Sequence, residues 1–348
     1  MIETFERHDS PPQCCPRFGF EYTQRKRQQD TSMTAPAIAT RPKTFEEFAA
    51  RRAGMGTAEG IQRALAFKPR PDDVIITPYG KCGTTWLQQV FHGLRTRGDM
   101  DFDDISRVVP WIETAYDLRL DLEAPQAAQP RGFKSHLPYD LVPKGARYLL
   151  SIRDPKDAFV SSFRFMEGWF FESGSVPIER SAREYLKTGA RRDYWHHLVS
   201  WWTQRNDPDV LMLSYERMNL DFETSVRRIA RFVGITLDDA LFEIVCRQSS
   251  LEFMLAHKDR FDDRLMRERS ERVIGLPPGS DSAKVRKGRV GEHRSELTPE
   301  ISAEFDRVWH EQIESTLGFT SYAELSEALE REQRLLSRNT SGETGERG

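Results

Sequence analysis

The stretch DVIITPYGKCGTTWLQQVFHGL, from Asp73 to Leu94, joins a strand pattern directly to a helix pattern. Its first part has three β-branched residues in a row, Val74, Ile75 and Ile76, which are typical of a buried strand. A Pro-Tyr-Gly turn and a lysine follow, and apolar side chains then recur at helical spacing at Trp86, Leu87, Val90, Phe91 and Leu94. The stretch therefore predicts a strand, a short loop that carries one lysine, and a helix that begins at this loop.

The loop around Lys81 lies where a strand is followed by the N-terminus of a helix. Unpaired backbone N–H groups and the helix dipole favour an anion at such a place, and phosphate in particular. Gly83 permits a close approach of the backbone, and Lys81 supplies a positive charge. Hydroxyl donors follow at Thr84 and Thr85. The sequence thus favours a phosphate site here, with an ordinary tight strand–helix connection as the alternative.

The loop departs from the Walker A motif. That motif requires G-x-x-x-x-G-K-[ST], in which the last hydroxyl binds magnesium. Here Cys82 follows the lysine, and Thr77 stands in place of the first glycine. A nucleotide or small-molecule kinase would need that hydroxyl and a magnesium ion, so we keep it only as an alternative and expect no metal.

Charge and composition limit the class of protein. The 348 residues include 51 Lys and Arg against 54 Asp and Glu, which gives a net charge of -3 and argues against a general nucleic-acid binder. The four cysteines form no CxxC pair, as expected for a reducing compartment. No apolar run approaches the roughly 18 residues of a membrane span, and the first residues are too polar for a signal peptide. We expect a cytoplasmic protein in which any anion site is local.

Three regions can be distinguished along the chain. Residues 1–40 mix Pro, Gln, Ser and charged residues without sustained periodicity, which predicts a disordered N-terminal tail. Residues 331–348, which end in LLSRNTSGETGERG, predict a disordered C-terminal tail for the same compositional reason. Residues 41–330 contain neither an internal repeat nor a long Gly/Ser linker, and we expect them to form one domain.

Short strand patterns alternate with helix patterns through the middle of the chain. The predicted strands are Val74–Thr77, Gly132–Ser135, Tyr148–Arg153 and Val210–Tyr215. Helices are predicted at Thr84–Leu94, Ala158–Met166, Tyr194–Gln204 and Phe222–Val233. This alternation predicts a three-layer, P-loop-like α/β fold with a central, mostly parallel sheet flanked by helices. Ligands of such sheets bind beyond the carboxyl ends of the strands, so the residues just after each strand are candidates for chemistry.

The segment YGKCGTTWLQQV (79–90) resembles the 5′-phosphosulfate loop of cytosolic-type sulfotransferases, usually written YPKSGTTW. These enzymes take a sulfuryl group from 3′-phosphoadenosine 5′-phosphosulfate (PAPS). The resemblance implies that Lys81 neutralises the leaving phosphate and that Trp86 supplies one face of the adenine site. It also implies that the phosphosulfate is held by Lys81, Cys82, Gly83, Thr84 and Thr85.

Two residues depart from this loop pattern, because Gly80 replaces a proline and Cys82 replaces a serine. Cys82 keeps a small side chain and a backbone N–H, so we expect the loop to survive the change. A thiol at a helix N-terminus beside a lysine is also expected to have a depressed pKa and to be oxidisable.

The segment GFKSHLP (132–138) resembles the family's K-[TS]-H-[LF]-P motif, whose histidine is the catalytic base. The resemblance implies that His136 removes the proton of the acceptor, a role that suits an imidazole near neutral pH. Lys134 lies two residues earlier and on the same face of a predicted strand, from which it would steady the transferred sulfuryl group. A purely structural histidine is the alternative.

Two further segments resemble the family's 3′-phosphate motifs. RDPKDAFVS (153–161) matches R-[ND]-P-[KR]-D-x-x-x-S, and RKGRVGEH (286–293) matches R-K-G-x-x-G-[DE]-W except that His293 replaces the tryptophan. The forked guanidinium group of arginine suits phosphate oxygens. The alternatives are a capped strand–helix connection and a solvated basic loop. The resemblance implies that the 3′-phosphate is bound by Arg153, Ser161, Arg286, Lys287 and Gly288.

Two segments resemble the family's adenine-binding elements. VLMLSYERM (210–218) places Tyr215 after a strand, where the family's tyrosine contacts the base, and an aromatic residue at the edge of the core is the alternative. QSSLEFM (248–254) places Ser249 where the family has a polar contact, although Leu251 replaces an aromatic residue. Ser249 with Glu252 also fits a capping box at the start of a helix.

Aromatic residues are concentrated in FRFMEGWFFESG (163–174) and DYWHHLVSWW (193–202). Comparable segments of the family contribute to the acceptor pocket, and an apolar pocket suits a small hydrophobic or aromatic alcohol, or an amine. The alternative is that these residues pack in the core. Over residues 41–320 the resemblance implies a metal-independent, PAPS-dependent sulfotransferase. A nucleotide-binding homologue without turnover remains an alternative, and the sequence leaves the oligomeric state open.

Overall fold

A parallel sheet organises the part of the chain that the structure describes. The computed structural model covers residues 39–342, with side chains to residue 335, so the predicted tail at 1–40 lies almost entirely outside it. Within this range the strands are β1 (Val74–Ile76), β2 (Gly132–Lys134), β3 (Arg147–Ile152) and β4 (Val210–Ser214). They pair in parallel in the order β2–β1–β3–β4. The predicted α/β fold with a parallel central sheet is confirmed.

Helices connect and cover these strands. The helices α1 to α17 are Phe45–Arg51, Ala58–Ala66, Thr84–Thr96, Ile105–Val108, Ile112–Ala115, Pro155–Trp169, Ile178–Tyr185, Tyr194–Trp202, Tyr215–Leu220, Phe222–Val233, Asp239–Gln248, Leu251–Ala256, Arg264–Ile274, His293–Glu296, Pro299–Trp309, Ser315–Leu317 and Tyr322–Gly342. Short 3₁₀ turns occur at Arg52–Gly54 and Lys258–Arg260, and a π turn at His310–Glu314. Among these helices none is both long and apolar enough to cross a membrane.

The two faces of the sheet bury different sets of strand residues, because successive side chains point to opposite sides. Ile75 and Phe133 belong to a buried cluster with residues of α6, α8 and α15. Val74 and Ile76 belong to a second cluster with residues of α3, α10 and α11. The sheet is therefore the middle of three layers.

The carboxyl end of β1 is the topological switch point of the sheet. The chain leaves β1, forms β2 on one side of it, and then forms β3 on the other side. Connections that diverge in this way open a crevice between the strand ends, which is where α/β sheets bind ligands. The loop that contains Lys81 begins at this crevice.

A buried ion pair aligns β1 with β2. Arg131 donates from Nε to Asp73 Oδ1 at 2.9 Å and from Nη2 to Oδ2 at 2.6 Å, and both side chains are at most 2% exposed. The backbone N–H of Val74 donates to the carbonyl of Arg131 at 2.9 Å. The ion pair joins the residues directly before the two strands. The loops that follow β1 and β2 at their carboxyl ends therefore also lie side by side.

The predicted strands are all present, but each runs one residue too far at its carboxyl end. Their last predicted residues, Thr77, Ser135, Arg153 and Tyr215, already lie in the loops or helix that follow. Of the predicted helices, α10 has the expected bounds. Helix α6 begins earlier than predicted, at Pro155, because the side chain of Asp154 caps it by accepting from the N–H of Lys156. Helix α17 continues past residue 330, into the segment predicted as a C-terminal tail.

Candidate active site

The loop after β1 wraps tightly before α3 begins. Lys81 has φ 67° and Gly83 has φ 101°, so the chain passes twice through the left-handed region. A Cβ at Gly83 would lie 3.0 Å from both Ser151 Oγ and a ring carbon of Tyr215. The first helical hydrogen bond runs from the N–H of Leu87 to the carbonyl of Gly83, at 3.0 Å. The N–H groups of the first turn thus have no partner within the helix.

A cavity of about 410 Å³ opens at this turn. It brings together residues from the loop after β1, the ends of β2 and β3, α6, and residues 284–289. The sequence predicted a large part of this lining. The predicted residues that line the cavity are Lys81, Gly83, Thr84, Thr85, Trp86, Lys134, His136, Arg153, Ser161, Tyr215, Ser249, Arg286, Lys287 and Gly288. Segments up to about 200 residues apart in sequence therefore share one cavity, as ligand sites at strand ends require.

His136 follows β2 and is held in one tautomer. Its Nδ1 lies 2.7 Å from the carbonyl oxygen of Pro78, which only accepts hydrogen bonds, so we assign the ring proton to Nδ1. Its backbone N–H donates to Glu113 Oε1 at 2.7 Å. Burial, together with the nearby charge of Lys134, lowers the pKa of His136 to about 3. Its Nε2 is therefore an unprotonated acceptor at neutral pH.

Two of the predicted lysines lie in the cavity wall, Lys134 buried and Lys81 partly exposed. Burial lowers the pKa of Lys81 to about 7 and that of Lys134 to about 8. The ammonium of Lys81 lies 4.5 Å from the ring centre of Phe165, and that of Lys134 lies 4.0 Å from the ring centre of Trp111. Each positive charge is thus partly balanced by an aromatic face.

Asp263 and Lys284 line the same cavity as Lys81 and Lys134, and the sequence motifs had not pointed to either of them. Asp263 Oδ1 lies 3.8 Å from Lys134 Nζ and 2.5 Å from Lys284 Nζ. Burial opposes the ionisation of Asp263, but Lys134 and Lys284 outweigh it and hold the pKa of this carboxyl well below its usual range. Neither residue belongs to a segment motif, although Lys284 lies two positions before the predicted Arg286.

Arg153 connects the loop after β1 with the segment at residues 284–289. Its Nη1 donates to the carbonyl of Lys81 at 2.9 Å, and its Nη2 donates to the carbonyl of Arg289 at 3.2 Å. Its guanidinium lies 4.3 Å from the ring centre of Tyr215. The Nε atom is buried and has no hydrogen-bond partner in the structure.

The basic segment, residues 284–289, folds back so that two of its cationic side chains reach Glu292. Arg286 donates to both carboxylate oxygens of Glu292, at 2.8 and 2.5 Å, and Lys287 donates to Glu292 Oε1 at 2.9 Å. These hydrogen bonds, most of all those from Arg286, lower the pKa of Glu292 to about 2. Gly288 has φ 61° and packs against Leu251. Glu292 thus fastens this loop, in which the side chain of Lys287 remains 47% exposed.

His293, which stands in place of the family's tryptophan, fastens this segment to α6. Its Nδ1 lies 2.7 Å from Asp157 Oδ1, and its backbone N–H donates to the same oxygen at 3.0 Å. The N–H of Gly291 donates to Asp157 Oδ2 at 2.6 Å. Hydrogen bonds to one carboxylate thus replace the packing that an indole would supply.

Trp86, Tyr215 and Ser249 lie together at one end of the cavity. Trp86 stacks on Phe222 with ring centres 4.9 Å apart, and its Nε1 donates to the carbonyl of Ser249 at 2.9 Å. Ser249 Oγ is buried without a partner, and it is Ser250 that caps α12 by accepting from the N–H of Phe253. The capping-box interpretation of Ser249 is therefore wrong.

Cys82 lies behind the cavity wall. Its backbone N–H donates to the carbonyl of Tyr79 at 3.0 Å, and its side chain is 1% exposed within the core. Burial raises the pKa of its thiol to about 12. The expected depressed pKa is wrong, because desolvation outweighs the nearby charge of Arg153. Of the loop residues predicted to contact a ligand, Cys82 is absent from the lining.

The apolar part of the cavity comes from one of the two aromatic segments. Helix α6 contributes Phe165, Met166 and Trp169, and Phe170 follows directly after it. Residues 193–202 contribute no lining residue to this cavity and pack in the core. The prediction that both segments form the pocket is thus wrong for α8. Additional apolar lining residues that the sequence did not single out are Trp111, Met254, Met266 and Val285.

The cavity is suited to an anionic nucleotide. The described residues contain no group of three or more His, Cys, Asp or Glu side chains that could hold a metal ion. Polar atoms without hydrogen-bond partners occur at Thr84 Oγ1, Arg153 Nε and Ser249 Oγ, all in residues that line the cavity. Buried polar groups are nearly always paired, so the hydrogen bonding of the cavity wall is incomplete at these three atoms.

Sequence comparison identifies one matching domain family. The family described as "Sulfotransferase domain" matches residues 71–317. The amine sulfotransferase of Oryctolagus cuniculus is 31% identical over 266 residues, which span 73% of this chain and 84% of that protein. Cytosolic sulfotransferase 17 of Arabidopsis thaliana is 30% identical over 328 residues, which span 87% of this chain and 92% of that protein.

Solved structures share the fold. The crystal structure of mouse sulfotransferase SULT7A1 complexed with PAP matches with a TM-score of 0.58 at 21% identity, over 80% of this chain and 94% of that chain. That of retinol dehydratase in complex with androsterone and inactive cofactor PAP matches with a TM-score of 0.60 at 21% identity, over 78% and 95%. The resemblance drawn from the sequence motifs is confirmed.

Cys82 is predicted to resist alkylation in the native protein. Raising a thiol pKa from 9.0 to about 12 reduces the reactive thiolate about a thousandfold. Iodoacetamide labelling at pH 8, followed by peptide mass spectrometry, should modify the partly exposed Cys246 in the native protein and Cys82 only after unfolding. Native labelling of both thiols at similar rates would contradict this burial.

Proposed function

The chain belongs to the sulfotransferase domain family, and from this premise we propose that it transfers a sulfuryl group from PAPS to a hydroxyl or amine of a small hydrophobic acceptor. The observation that carries the proposal is the convergence of Lys81, Arg153, Arg286 and His136 on one cavity. Several cations and a neutral imidazole in one cavity suit a donor with anionic groups at both ends.

The 5′-phosphosulfate of the donor is assigned to the N-terminus of α3. Lys81 supplies an ammonium there, the first turn supplies backbone N–H groups, and Thr84 and Thr85 supply hydroxyls.

The 3′-phosphate is assigned to Arg153, Ser161, Arg286 and Lys287, and the adenine to Trp86, Tyr215 and Ser249. Glu292 holds Arg286 through two hydrogen bonds and so fixes the orientation of its guanidinium group. Trp86 has one face covered by Phe222, so its other face is the one offered to a base.

The chain's residues supply proton transfer and charge stabilisation. The donor supplies an electrophilic sulfur and a phosphate leaving group. The acceptor oxygen or nitrogen bonds to sulfur while the bond from sulfur to the bridging oxygen breaks, and the electron pair leaves on that oxygen. His136 Nε2 takes the acceptor's proton, which it can do because Nδ1 already carries the other ring proton. Lys81 and Lys134 stabilise negative charge on the leaving and transferred oxygens.

The acceptor is assigned to the apolar side of the cavity. Phe165, Trp169 and Met266 are among the side chains that line it, which suits a hydrophobic or aromatic alcohol or amine. Androsterone occupies the fold-related retinol dehydratase, and an amine sulfotransferase is among the sequence relatives. We place the protein in the cytoplasm, which accords with its cysteine usage and with a relative named as cytosolic.

Donor binding and transfer test the proposal in sequence. Isothermal titration should detect adenosine 3′,5′-bisphosphate (PAP) binding in the presence of EDTA, and a radiolabelled PAPS screen over phenols, sterols and hydrophobic amines should find an acceptor. A kinase would instead bind ATP with magnesium. PAP that fails to bind, or binds only with magnesium, would overturn the proposal, and PAP binding without transfer to any acceptor would leave a nucleotide-binding homologue.

His136→Ala is expected to lower turnover at least about a hundredfold, because general-base catalysis typically contributes a factor of that size. The dissociation constant for PAP should stay within about twofold, since no donor contact is assigned to His136. The matched control is His196→Ala, whose exposed imidazole pairs with Asp140. Turnover of the His136 variant near that of the control would show that the imidazole is not the base.

Donor affinity is expected to decrease as the pH rises above 7. Lys81 has a pKa lowered to about 7, so its ammonium is present below this pH and is lost above it. If only the protonated form binds, the dissociation constant for PAPS rises about tenfold for each pH unit above 7. Titrations at pH 7, 8 and 9 measure this slope. Lys81→Met should remove it between pH 7 and 8, whereas a slope from Lys134, whose pKa is lowered to about 8, should remain above pH 8. A flat profile in the wild-type protein would contradict a cationic donor contact at Lys81.

A further inference from the structure

Lys284 extends into the cavity beside the residues assigned to sulfuryl transfer. Its Nζ lies 2.5 Å from Asp263 Oδ1, and the same carboxylate pairs with Lys134 at 3.8 Å. The side chain of Lys284 is only 9% exposed. Its positive charge also acts on Lys81 and His136, where it contributes to the lowered pKa values of both. Lys284 therefore lies among the groups that face the reacting atoms.

The backbone around this lysine is strained in a way typical of functional sites. Among the described residues, five non-glycine residues have positive φ, and three of them are at this place. Lys81 has φ 67°, Asp263 has φ 48°, and Ala283, directly before Lys284, has φ 45°. Such conformations persist only where the surrounding contacts enforce them, and they concentrate at active sites.

The segment that carries Lys284 is fastened on both sides. The carbonyl oxygen of Asp281 would lie 2.6 Å from a Cβ at Gly168, so α6 approaches it as closely as a glycine allows. Arg267 of α13 donates to the carbonyl of Ser280 at 2.5 Å, and the hydroxyl of Ser282 donates to Asp262. Lys284 is thus held at the cavity wall by its own segment.

The local charge is unbalanced without a ligand. Lys134 and Lys284 both pair with one buried carboxylate, that of Asp263, whose charge also acts on Lys81. Buried charges are costly unless they are paired, so three ammonium groups around one carboxylate favour an anion between them. A phosphosulfate, which carries negative charge on both its phosphate and its sulfate, is such an anion.

We propose that Lys284 is a third cationic catalytic residue, which binds the non-bridging oxygens of the transferred sulfuryl group, and that Asp263 holds its ammonium in place. This inference rests on the proposed function. Lys284 would then distinguish PAPS from PAP, because PAP has the same two phosphates without the sulfuryl group.

The comparison of PAP with PAPS by isothermal titration tests this assignment without an acceptor. Lys284→Met should bind PAP within about twofold of the wild-type protein and PAPS at least about tenfold more weakly, as expected for the loss of a charged hydrogen bond. The matched control is Lys187→Met, whose ammonium pairs with Glu184 on the surface and whose side chain is 69% exposed. This control should leave both affinities unchanged.

A double variant tests whether the loss in the single variant comes from misfolding, because Lys284→Met alone leaves the buried Asp263 carboxylate without this partner. Asp263→Asn with Lys284→Met removes the carboxylate and the ammonium together, and it should show the same selective loss for PAPS. Equal weakening of PAP and PAPS, or unchanged PAPS affinity in a variant that still binds PAP, overturns the role of Lys284. Wild-type protein that binds neither nucleotide would instead overturn the proposed function, and this inference with it.

Discussion

Two hydrogen bonds from Arg153 join the parts of the cavity that lie farthest apart in the sequence. Its guanidinium group donates to the carbonyl of Lys81 after β1 and to the carbonyl of Arg289 in the basic segment. Because a guanidinium group is planar and rigid, the two carbonyl oxygens are held in a fixed relation. Lys81 and Arg286 extend from the segments that are fixed in this way. In the proposed function, one side chain thus sets the spacing between the binding sites of the two ends of the donor.

Site residues that belong to a local sequence motif could be predicted from the sequence. Site residues that come together only in the folded chain could not. The loop at Lys81, the histidine after β2 and the arginine after β3 each follow a recognisable strand, so their positions at the sheet edge followed from the alternating pattern. Asp263 and Lys284 belong to no local motif and meet only through folding. The sequence also could not show which aromatic segment lines the cavity. Both α6 and α8 are rich in aromatic residues, and only the packing of the folded chain places α6 at the cavity and α8 in the core. The predicted depressed pKa of Cys82 failed for a related reason. Its neighbours in the sequence indicated an exposed helix N-terminus, whereas folding buries its side chain.

Burial determines the chemistry of the ionisable groups. It keeps His136 neutral, with a pKa near 3, so that its Nε2 stays unprotonated throughout the neutral range. It also lowers the pKa of Lys81 and Lys134 towards neutrality, so that an arriving anion restores their full charge. Helix α6 adds apolar side chains, among them Phe165 and Trp169, to the same cavity. Desolvation therefore acts on the imidazole and on both ammonium groups alike.

A crystal structure of the protein with bound PAP would test the shared nucleotide cavity most directly. We expect the 5′-phosphate oxygens to accept from Lys81 and from the N–H groups of Thr84 and Thr85, while the 3′-phosphate contacts Arg153 and Ser161. A nucleotide bound elsewhere, or one whose phosphates lie beyond hydrogen-bond distance, about 3.5 Å, from both sets of residues, would contradict a shared cavity for the two ends of the donor.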